Sequence, residues 1–314
     1  MTRPDSSWVL SEDYAGLQAQ AIGLAEAAGL SPQPKVLRPR LPWRWMAASL
    51  WPRPLAAVPD ALEAPFPDLA IACGGVGAAV GAALRRRGMA VVQVQHPRMP
   101  ASRFDLVVVN RHDELTGPNV VVTRTALHRV TPARLAAAAD EWRDRFVHLP
   151  RPLVTVLIGG SNGRFRFDRL TAKAIAGQIG DMMRHDGVGV ALTPSRRTDP
   201  EAAGILRDRL APLGAWIWDG TGDNPYFGML ALADAIVVTI DSVSMMSEAV
   251  ATSAPVMLAP LPGRSRRIGL FIEGLLQEGR VRRFAGRLES WPVTPLNDTP
   301  EAAAEMRRRL GFHV

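Results

Sequence analysis

The chain contains few of the residues on which disulfide and thiolate chemistry depend. Only one of its 314 residues is a cysteine, Cys73, which excludes a disulfide framework and a thiolate zinc site. Lysine occurs twice, at Lys35 and Lys173, so nearly all of the formal net charge of +7 comes from arginine. A basic balance favours phosphates, nucleic acid or anionic lipid as partners, although genomic base composition also enriches arginine and alanine.

Long apolar runs and targeting signals are also missing. The opening residues, MTRPDSSWVLSED, lack the basic-then-apolar order of a signal peptide. The longest uncharged run, residues 69–84, is short and glycine-rich, so it is a poor membrane span. These patterns predict a cytoplasmic protein that lies at most on the inner face of a membrane. No DxD motif occurs, so the sequence implies no metal site of that type.

Short apolar runs alternate with alanine-rich helical segments along the whole chain. Such nearly continuous apolar runs are typical of parallel strands that are covered on both faces. The repeated βαβ pattern predicts an α/β protein with two Rossmann-like domains. Pro150 and Pro152 interrupt the chain after a predicted helix, and we place the domain boundary there, which gives domains 1–149 and 150–314 with the C-terminal helix packing back on the first. The predicted strands are 6–10, 34–38, 69–73, 90–94, 106–109, 119–122, 153–158, 188–192, 215–217, 235–240 and 255–258, and the predicted helices include 16–29, 77–87, 133–145, 168–184, 200–211 and 244–252.

The first glycine-rich motif follows the third predicted strand and has two interpretations. Gly75, Gly77 and Gly81 resemble a dinucleotide fingerprint, but their spacing is GxGxxxG. The next strand ends in Gln93 and Gln95, where an acid would hold the ribose of NAD. We therefore favour a glycine-rich packing turn over nicotinamide binding.

The second motif, GGSNG, formally matches the GxSxG pattern of hydrolases. It is followed at once by RFRFD, where a nucleophile elbow needs small residues that lead directly into a helix. We instead expect Gly159 and Gly160 to free backbone amides at a strand end. Ser161, Asn162 and Arg164 are then placed to donate hydrogen bonds to phosphate.

Polar loops also follow the next three predicted strands. Ser195 and Arg196 belong to the loop TPSRRT, Asn224 belongs to the loop GDNPYF, and the stretch IDSVSMMSE contains Ser242 and Glu248. Each loop by itself is explained as a capped, solvated turn. Because ligands bind beyond the carboxyl ends of parallel strands, the four loops together predict an anion-binding edge of the second sheet.

Several of these motifs together resemble those of a known family. They are GGSNGRFRFD, TPSRRT, GDNPYFGMLALADAIVVTIDSVSMMSEA and GRSRRIGLFIEGLLQEGRVRRF, and they resemble the mitochondrial-fission "elongated mitochondria" family and its bacterial relatives, which are regarded as glycosyltransferases. The resemblance covers nearly the whole chain. It implies a GT-B-like fold, in which two Rossmann-like domains with parallel sheets face each other across a cleft. It also implies a nucleotide-sugar substrate on the C-terminal domain, with no separate cofactor and no metal.

The resemblance further implies roles for residues after the fourth strand of the second domain. Glu248 stands where GT-B enzymes hold the ribose hydroxyls, and the alternative is an i,i+4 pair with Ser244 inside the helix. Ser242, Ser244 and Met245 lie at the helix N-terminus, where the backbone amides and the helix dipole favour phosphate. The loop around Asn224 is expected to flank the nucleobase.

The acceptor half of the reaction is less well defined by the sequence. Relatives carry a histidine in the pattern G-H-x-x-Q near the start of the chain, and this chain has Leu17 there. If that histidine acts as the base in relatives, this chain either uses another group that reaches the acceptor hydroxyl or lacks transfer activity. The candidates are Asp13, His96 and Asp113, with His112 as the fourth.

A tryptophan- and arginine-rich segment, residues 37–55, leaves two interpretations open. Trp43, Trp45 and Trp51 among arginines suit a membrane–water interface, but they also suit packing into the first domain. Membrane docking is consistent with a lipid-linked or membrane-surface acceptor. The sequence thus predicts a glycosyltransferase that acts on an envelope glycoconjugate, with no nucleic-acid partner. The alternatives are a non-catalytic adaptor of the mitochondrial-fission type and a nucleotide-sugar epimerase.

Overall fold

A computed structural model describes residues 6–312 of the chain. These residues form two compact units. The first unit contains the residues up to Arg129 and those from Asn297 onward, and the second runs from Val130 to Leu296. Each unit is built around one six-stranded parallel sheet, as the βαβ pattern predicts.

The sheet of the first unit has the strand order β2-β1-β3-β4-β5-β6. All of its neighbouring strands pair in parallel. Successive side chains of β1 enter different cores: Trp8 and Leu10 pack on the face covered by α2, and Val9 packs on the face covered by α1 and α9. The elements of this unit are β1 (Ser6–Ser11), α1 (Ala15–Ala27), β2 (Ser31–Val36), β3 (Leu69–Cys73), α2 (Gly74–Arg85), β4 (Ala90–Val94), β5 (Leu106–Asn110), β6 (Val120–Thr123) and α9 (Thr299–Leu310).

The glycine-rich motif of the first unit is a packing feature. It forms the first turns of α2 directly after β3. A side chain at Gly77 would overlap the backbone carbonyl of Leu10, so the glycine lets α2 approach β1 closely. The structure thus agrees with the packing interpretation of this motif.

The sheet of the second unit has the strand order β12-β11-β10-β7-β8-β9, again with parallel pairing. The chain builds outward from β7 to β8 and β9, and then returns to the other side of β7 with β10. The strand order therefore reverses between β7 and β10, which is the position where open α/β sheets bind ligands. The elements are α3 (Pro132–Phe146), β7 (Leu153–Ile158), α4 (Arg169–Asp186), β8 (Gly189–Pro194), α5 (Pro200–Leu210), β9 (Trp216–Ile217), α6 (Tyr226–Leu232), β10 (Ala235–Thr239), α7 (Val243–Val250), β11 (Val256–Ala259), α8 (Arg266–Gln277) and β12 (Val281–Arg283).

The division into units comes before α3, whereas the sequence predicted a boundary after it, at residues 149/150. The reason is that the apolar face of α3 packs within the second unit. Trp142 lies directly against Gly228 of α6, and the rings of Trp142 and Phe146 contact Trp216 of β9. The C-terminal helix α9 packs against α1 of the first unit.

The segment between β2 and β3 forms short 3-10 turns, and its three tryptophans differ in their exposure to solvent. Trp51 is buried and Trp43 is partly buried, and both pack in the core beneath α2. Trp45 is 81% exposed. Within residues 6–312, no helix has both the length and the apolar character that crossing a bilayer requires.

Candidate functional site

The loops after β8, β7 and β10, which are neighbours in the second sheet, meet around one buried carboxylate. Asp241 Oδ2 accepts hydrogen bonds from the Gly160 amide at 3.0 Å and from Arg197 Nη2 at 2.9 Å. Asp241 Oδ1 accepts from Thr239 Oγ1 at 2.7 Å. One side chain therefore holds together the ends of three adjacent strands at the switch point of the sheet.

The two glycines of the first loop are needed because other loops approach their backbone closely. A Cβ on Gly159 would overlap both carboxylate oxygens of Asp241, and a Cβ on Gly160 would overlap the Arg197 carbonyl. Thr198 Oγ1 also donates to the Gly159 carbonyl at 2.6 Å. The glycines lie at the strand end as predicted, but the amide of Gly160 already bonds to Asp241.

From the sequence we expected Ser161 and Asn162 to donate hydrogen bonds to phosphate. In the structure their side chains stabilise their own loop. Asn162 Oδ1 accepts from the amides of Arg164 and Phe165 at 2.8 and 2.9 Å. Ser161 Oγ accepts from the Phe167 amide at 2.9 Å. The side chain of Arg164 extends from this loop and is exposed. The loop thus presents a cation on a well-braced turn.

The loop after β8 is arranged in a similar way. Ser195 Oγ accepts from the Arg197 amide at 3.2 Å and lies 3.2 Å from Thr198 Oγ1. Arg196 is exposed, and Arg197 turns back to Asp241. Ser195 therefore supports the turn that separates one arginine, directed to solvent, from the other.

Helix α7 begins at the end of the loop after β10. Ser242 is its N-cap, and Ser242 Oγ accepts from the Met245 amide at 3.3 Å. The amide of Met245, which we expected to meet phosphate, is thus bonded within the cap. Ser244 lies in the first turn and is partly exposed. The partial positive charge of the helix start remains directed at the edge of the sheet.

Glu248 bridges α7 to α6 through a tyrosine. Tyr226 OH donates to Glu248 Oε2 at 2.5 Å. Asn224 Oδ1 accepts from the Tyr226 amide at 3.0 Å, so Asn224 braces the turn that leads into the helix of this tyrosine. Burial raises the pKa of Glu248 to about 7, and the bond from Tyr226 acts in the opposite direction. The same burial, together with the charge of Glu248, raises the pKa of Tyr226.

The sequence did not lead us to predict three of the residues that organise this site. Asp241 and Arg197 form the ion pair between loops, and Tyr226 is the partner of Glu248. Asp241 and Arg197 lie inside the polar loops that the sequence singled out, so their residue types were the available signal. No spacing rule indicates that Tyr226, at the start of one helix, meets a glutamate in the next.

The acceptor-side candidates lie at three separate strand ends of the first unit. Asp13 follows β1, His96 follows β4 and Asp113 follows β5, with β3 between the first two in the sheet. His96 Nδ1 accepts a hydrogen bond from the Arg98 amide at 2.9 Å. Asp113 Oδ1 lies 3.9 Å from His112 Nε2.

Of these candidates, Asp13 lines a pocket of the first unit. This pocket has a volume of about 550 Å³. Sequence reasoning did not select its second carboxylate, Glu12, whose pKa is raised by burial. Leu17, at the position where the family resemblance implies a histidine, lies against Gly74 in the core. The pocket is lined by Glu12, Asp13, Tyr14, Leu37, Arg38, Pro39, Arg44, Met46, Ala48, Trp51 and Val76.

Across residues 6–312, no group of three or more histidine, cysteine, aspartate or glutamate side chains is close enough to hold a metal ion. The largest charges at the edge of the second sheet are instead arginines and two carboxylates. Chemically, such an edge suits a ligand that has both anionic and hydroxyl groups.

The two parallel sheets, each covered by helices, define an α/β protein with the GT-B architecture. The fold is similar to that of MurG from Acinetobacter baumannii, with a TM-score of 0.50, 16% identity and coverage of 98% of this chain and 90% of that one. It is also similar to that of a UDP-GlcNAc 2-epimerase from Neisseria meningitidis bound to UDP-GlcNAc, with a TM-score of 0.53, 12% identity and coverage of 99% and 91%.

The chain belongs to the family described as Mitochondrial fission ELM1, which matches residues 15–310. It is 36% identical over 274 residues to the mitochondrial fission protein ELM1 of Arabidopsis thaliana. This match covers 78% of the present chain and 64% of the length of the plant protein. The resemblance seen in the sequence motifs is thereby confirmed at the level of the family and the fold.

Proposed function

We propose that the protein is a metal-independent glycosyltransferase that moves a sugar from a nucleotide-sugar donor to an envelope glycoconjugate or a lipid-linked acceptor. The observation that carries the proposal is the set of loops joined by Asp241 at the switch point of the second sheet. These loops lie beyond the carboxyl ends of the strands at the switch point, where open α/β sheets bind their ligands. The fold of an epimerase bound to UDP-GlcNAc adds support at the level of architecture.

Glu248 is proposed to hold the ribose of the donor. Its pKa of about 7 leaves the carboxylate substantially ionised near neutral pH, and a carboxylate accepts strong bonds from two adjacent hydroxyls. Tyr226 bonds one of its oxygens and so fixes the orientation of the group. Asn224, which accepts a hydrogen bond from the Tyr226 amide, is proposed to lie beside the nucleobase.

The diphosphate is proposed to lie at the start of α7, with arginines from the neighbouring loops. Arg164 and Arg196 are exposed, and the loops that carry them are braced by Ser161, Asn162 and Ser195. Guanidinium groups and a helix N-terminus supply the positive charge that a metal ion supplies in other transferases. The proposed donor site consequently has no metal.

The acceptor is proposed to bind at the carboxyl edge of the first sheet. Asp13, His96 and Asp113 remain the proposed bases, and Asp13 has the additional support that it lines the pocket of this unit. A base has to accept the proton of the acceptor hydroxyl as that oxygen attacks the sugar. We propose that the protein works in the cytoplasm, at the inner face of the membrane.

The test is calorimetric titration of the full chain with UDP-, GDP-, ADP- and CMP-linked sugars. We expect one nucleotide class to bind and Glu248→Ala to weaken that binding by about tenfold or more, because a charged hydrogen-bond acceptor is lost. Glu141→Ala, which changes an exposed glutamate on α3, is the matched control. If none of the four classes binds, the transferase proposal is wrong. If binding survives Glu248→Ala unchanged, the ribose assignment is wrong.

A non-catalytic adaptor is the second candidate, because the plant relative carries the name of a fission protein and Leu17 stands where the family resemblance implies a histidine. An epimerase is the third, because the fold matches one. The three differ in what happens to a bound nucleotide sugar. A transferase releases the nucleotide (a diphosphate from UDP-, GDP- or ADP-sugars, CMP from CMP-sugars) only with acceptor present, an epimerase changes the sugar without any acceptor, and an adaptor leaves the sugar unchanged.

A further inference from the structure

The first unit carries an exposed apolar loop, which we define as residues 41–50. Trp45 and Leu50 are 81% and 71% exposed, and Leu41 and Met46 are also exposed. Burial of such side chains away from water is favourable, so a loop that presents four of them to solvent is a candidate interaction surface.

The apolar loop is held in place from beneath. The buried Trp51 donates from its Nε1 atom to the carbonyls of Trp43 at 3.1 Å and Met46 at 3.3 Å. Trp43 itself packs into the core beneath α2. Two tryptophans thus anchor the loop, and the third, Trp45, is presented outward by a supported backbone.

The chain segment that contains the apolar loop carries only positive charges. Residues 27–59 contain five lysine or arginine residues and no aspartate or glutamate. Arg40 pairs with Asp60 at 2.6 Å, and Arg38 pairs more loosely with Asp13 at 3.4 Å. Arg44 and Arg53 are exposed and form no ion pair with any residue of the 6–312 range.

We propose that the apolar loop docks the first unit on a bilayer that contains anionic lipids. Tryptophan and leucine side chains enter the boundary between head groups and acyl chains, and arginines beside them bind the anionic head groups. Trp45 and Leu50 supply the inserted side chains, and Arg44 and Arg53 supply the charge. Because residues 27–59 contain no carboxylates, the charge of this segment is positive and complementary to that of an anionic lipid surface.

The bilayer also explains why this loop is next to the pocket. Arg44 and Met46 of the apolar loop are both exposed and also line the pocket of about 550 Å³. A molecule that is tethered to the bilayer therefore meets the pocket as soon as the loop docks. This consequence rests on the proposed transferase function, whereas the docking itself does not.

The test is co-sedimentation of the full chain with vesicles of phosphatidylcholine alone or mixed with phosphatidylglycerol. We expect binding to the mixed vesicles, weak binding to the neutral ones, and a loss of binding as salt rises. Trp45→Ala and Leu50→Ala should each weaken binding by about tenfold, since each removes an inserted apolar side chain. Arg44→Ala and Arg53→Ala should each weaken it by about fivefold and flatten the salt dependence.

The controls are Leu170→Ala and Arg87→Ala, which remove an exposed leucine and an exposed arginine from other surfaces. Both should bind vesicles as the parent chain does. The proposal is overturned if the parent chain ignores mixed vesicles, or if Trp45→Ala and Leu50→Ala bind as the controls do. It is also overturned if Trp45→Ala abolishes self-association in the absence of lipid, because a second copy would then cover the loop. Trp45→Ala should still bind the nucleotide sugar in a titration. A loss of vesicle binding with sugar binding retained is then a loss of docking and not a failure of the donor site.

Discussion

The packing of the three loops at the candidate site depends on the carboxylate of Asp241, so its removal has a calculable effect. Asp241→Ala takes away the acceptor of the Gly160 amide and of the Thr239 hydroxyl, and both donor residues are buried. Each buried donor left unsatisfied costs about 1–3 kcal/mol. The bond from Arg197, whose side chain is 39% exposed, adds about 1 kcal/mol or less. We therefore expect the second unit to lose about 2–7 kcal/mol of unfolding free energy.

Hydrogen exchange at increasing urea concentration measures this loss separately in each unit. Peptides from β7 and β10 report on the second unit, and peptides from β3 and β4 report on the first, which should be unchanged. Asp219→Ala is the matched control, because the carboxylate of Asp219 is exposed and bonds to Thr221 within its own turn. If Asp241→Ala stays within about 0.5 kcal/mol of this control, as ordinary surface substitutions do, the reasoning is refuted.

Three further predictions concern the same edge of the sheet. Glu248 has its pKa raised from 4.5 to about 7 by burial, so the folded chain binds more protons than the unfolded chain between these pH values and stability falls as pH rises across them, by up to about 3 kcal/mol. Glu248→Gln should abolish that slope in urea titrations, and an unchanged slope would assign it to another group. Tyr226→Phe removes a bond that lowers the pKa of Glu248, so the pKa from an NMR titration should move further above 7; a fall would contradict the hydrogen bond. Gly159→Ala places a methyl group against a buried carboxylate and should destabilise by about 1–3 kcal/mol, whereas Gly163→Ala, with open space around it, should melt as the parent chain does.

Much of the fold could be predicted from the sequence because its central strands are uninterrupted apolar runs. The predicted bounds of β3, β4 and β7 agree with the structure. The edge strands were harder. β12, Val281–Arg283, has a single buried residue and was missed, and β2 begins earlier than predicted because Pro32 and Pro34 are tolerated in an edge strand.

The candidate site was predictable only in part, because the location of its loops follows from the strand pattern but the contacts between them do not. Strand ends in a parallel sheet lie on one edge, so the polar loops could be expected to gather there. The pairs that organise them join distant positions: Arg197 and Asp241 are 44 residues apart, and Tyr226 and Glu248 are 22 apart. Such pairs depend on the order of strands and on the approach of neighbouring helices, and neither leaves a periodic pattern in the sequence.

The most direct test of the proposed donor site is hydrogen exchange with and without the nucleotide sugar that calorimetry selects. We predict protection in the loops after β7, β8 and β10 and in α7, which carries Glu248. Protection should be lost in Glu248→Ala at the same ligand concentration and retained in Glu141→Ala. Protection that falls only on the first unit, or none in the loops joined by Asp241, would contradict the assignment of this edge as the nucleotide-sugar site.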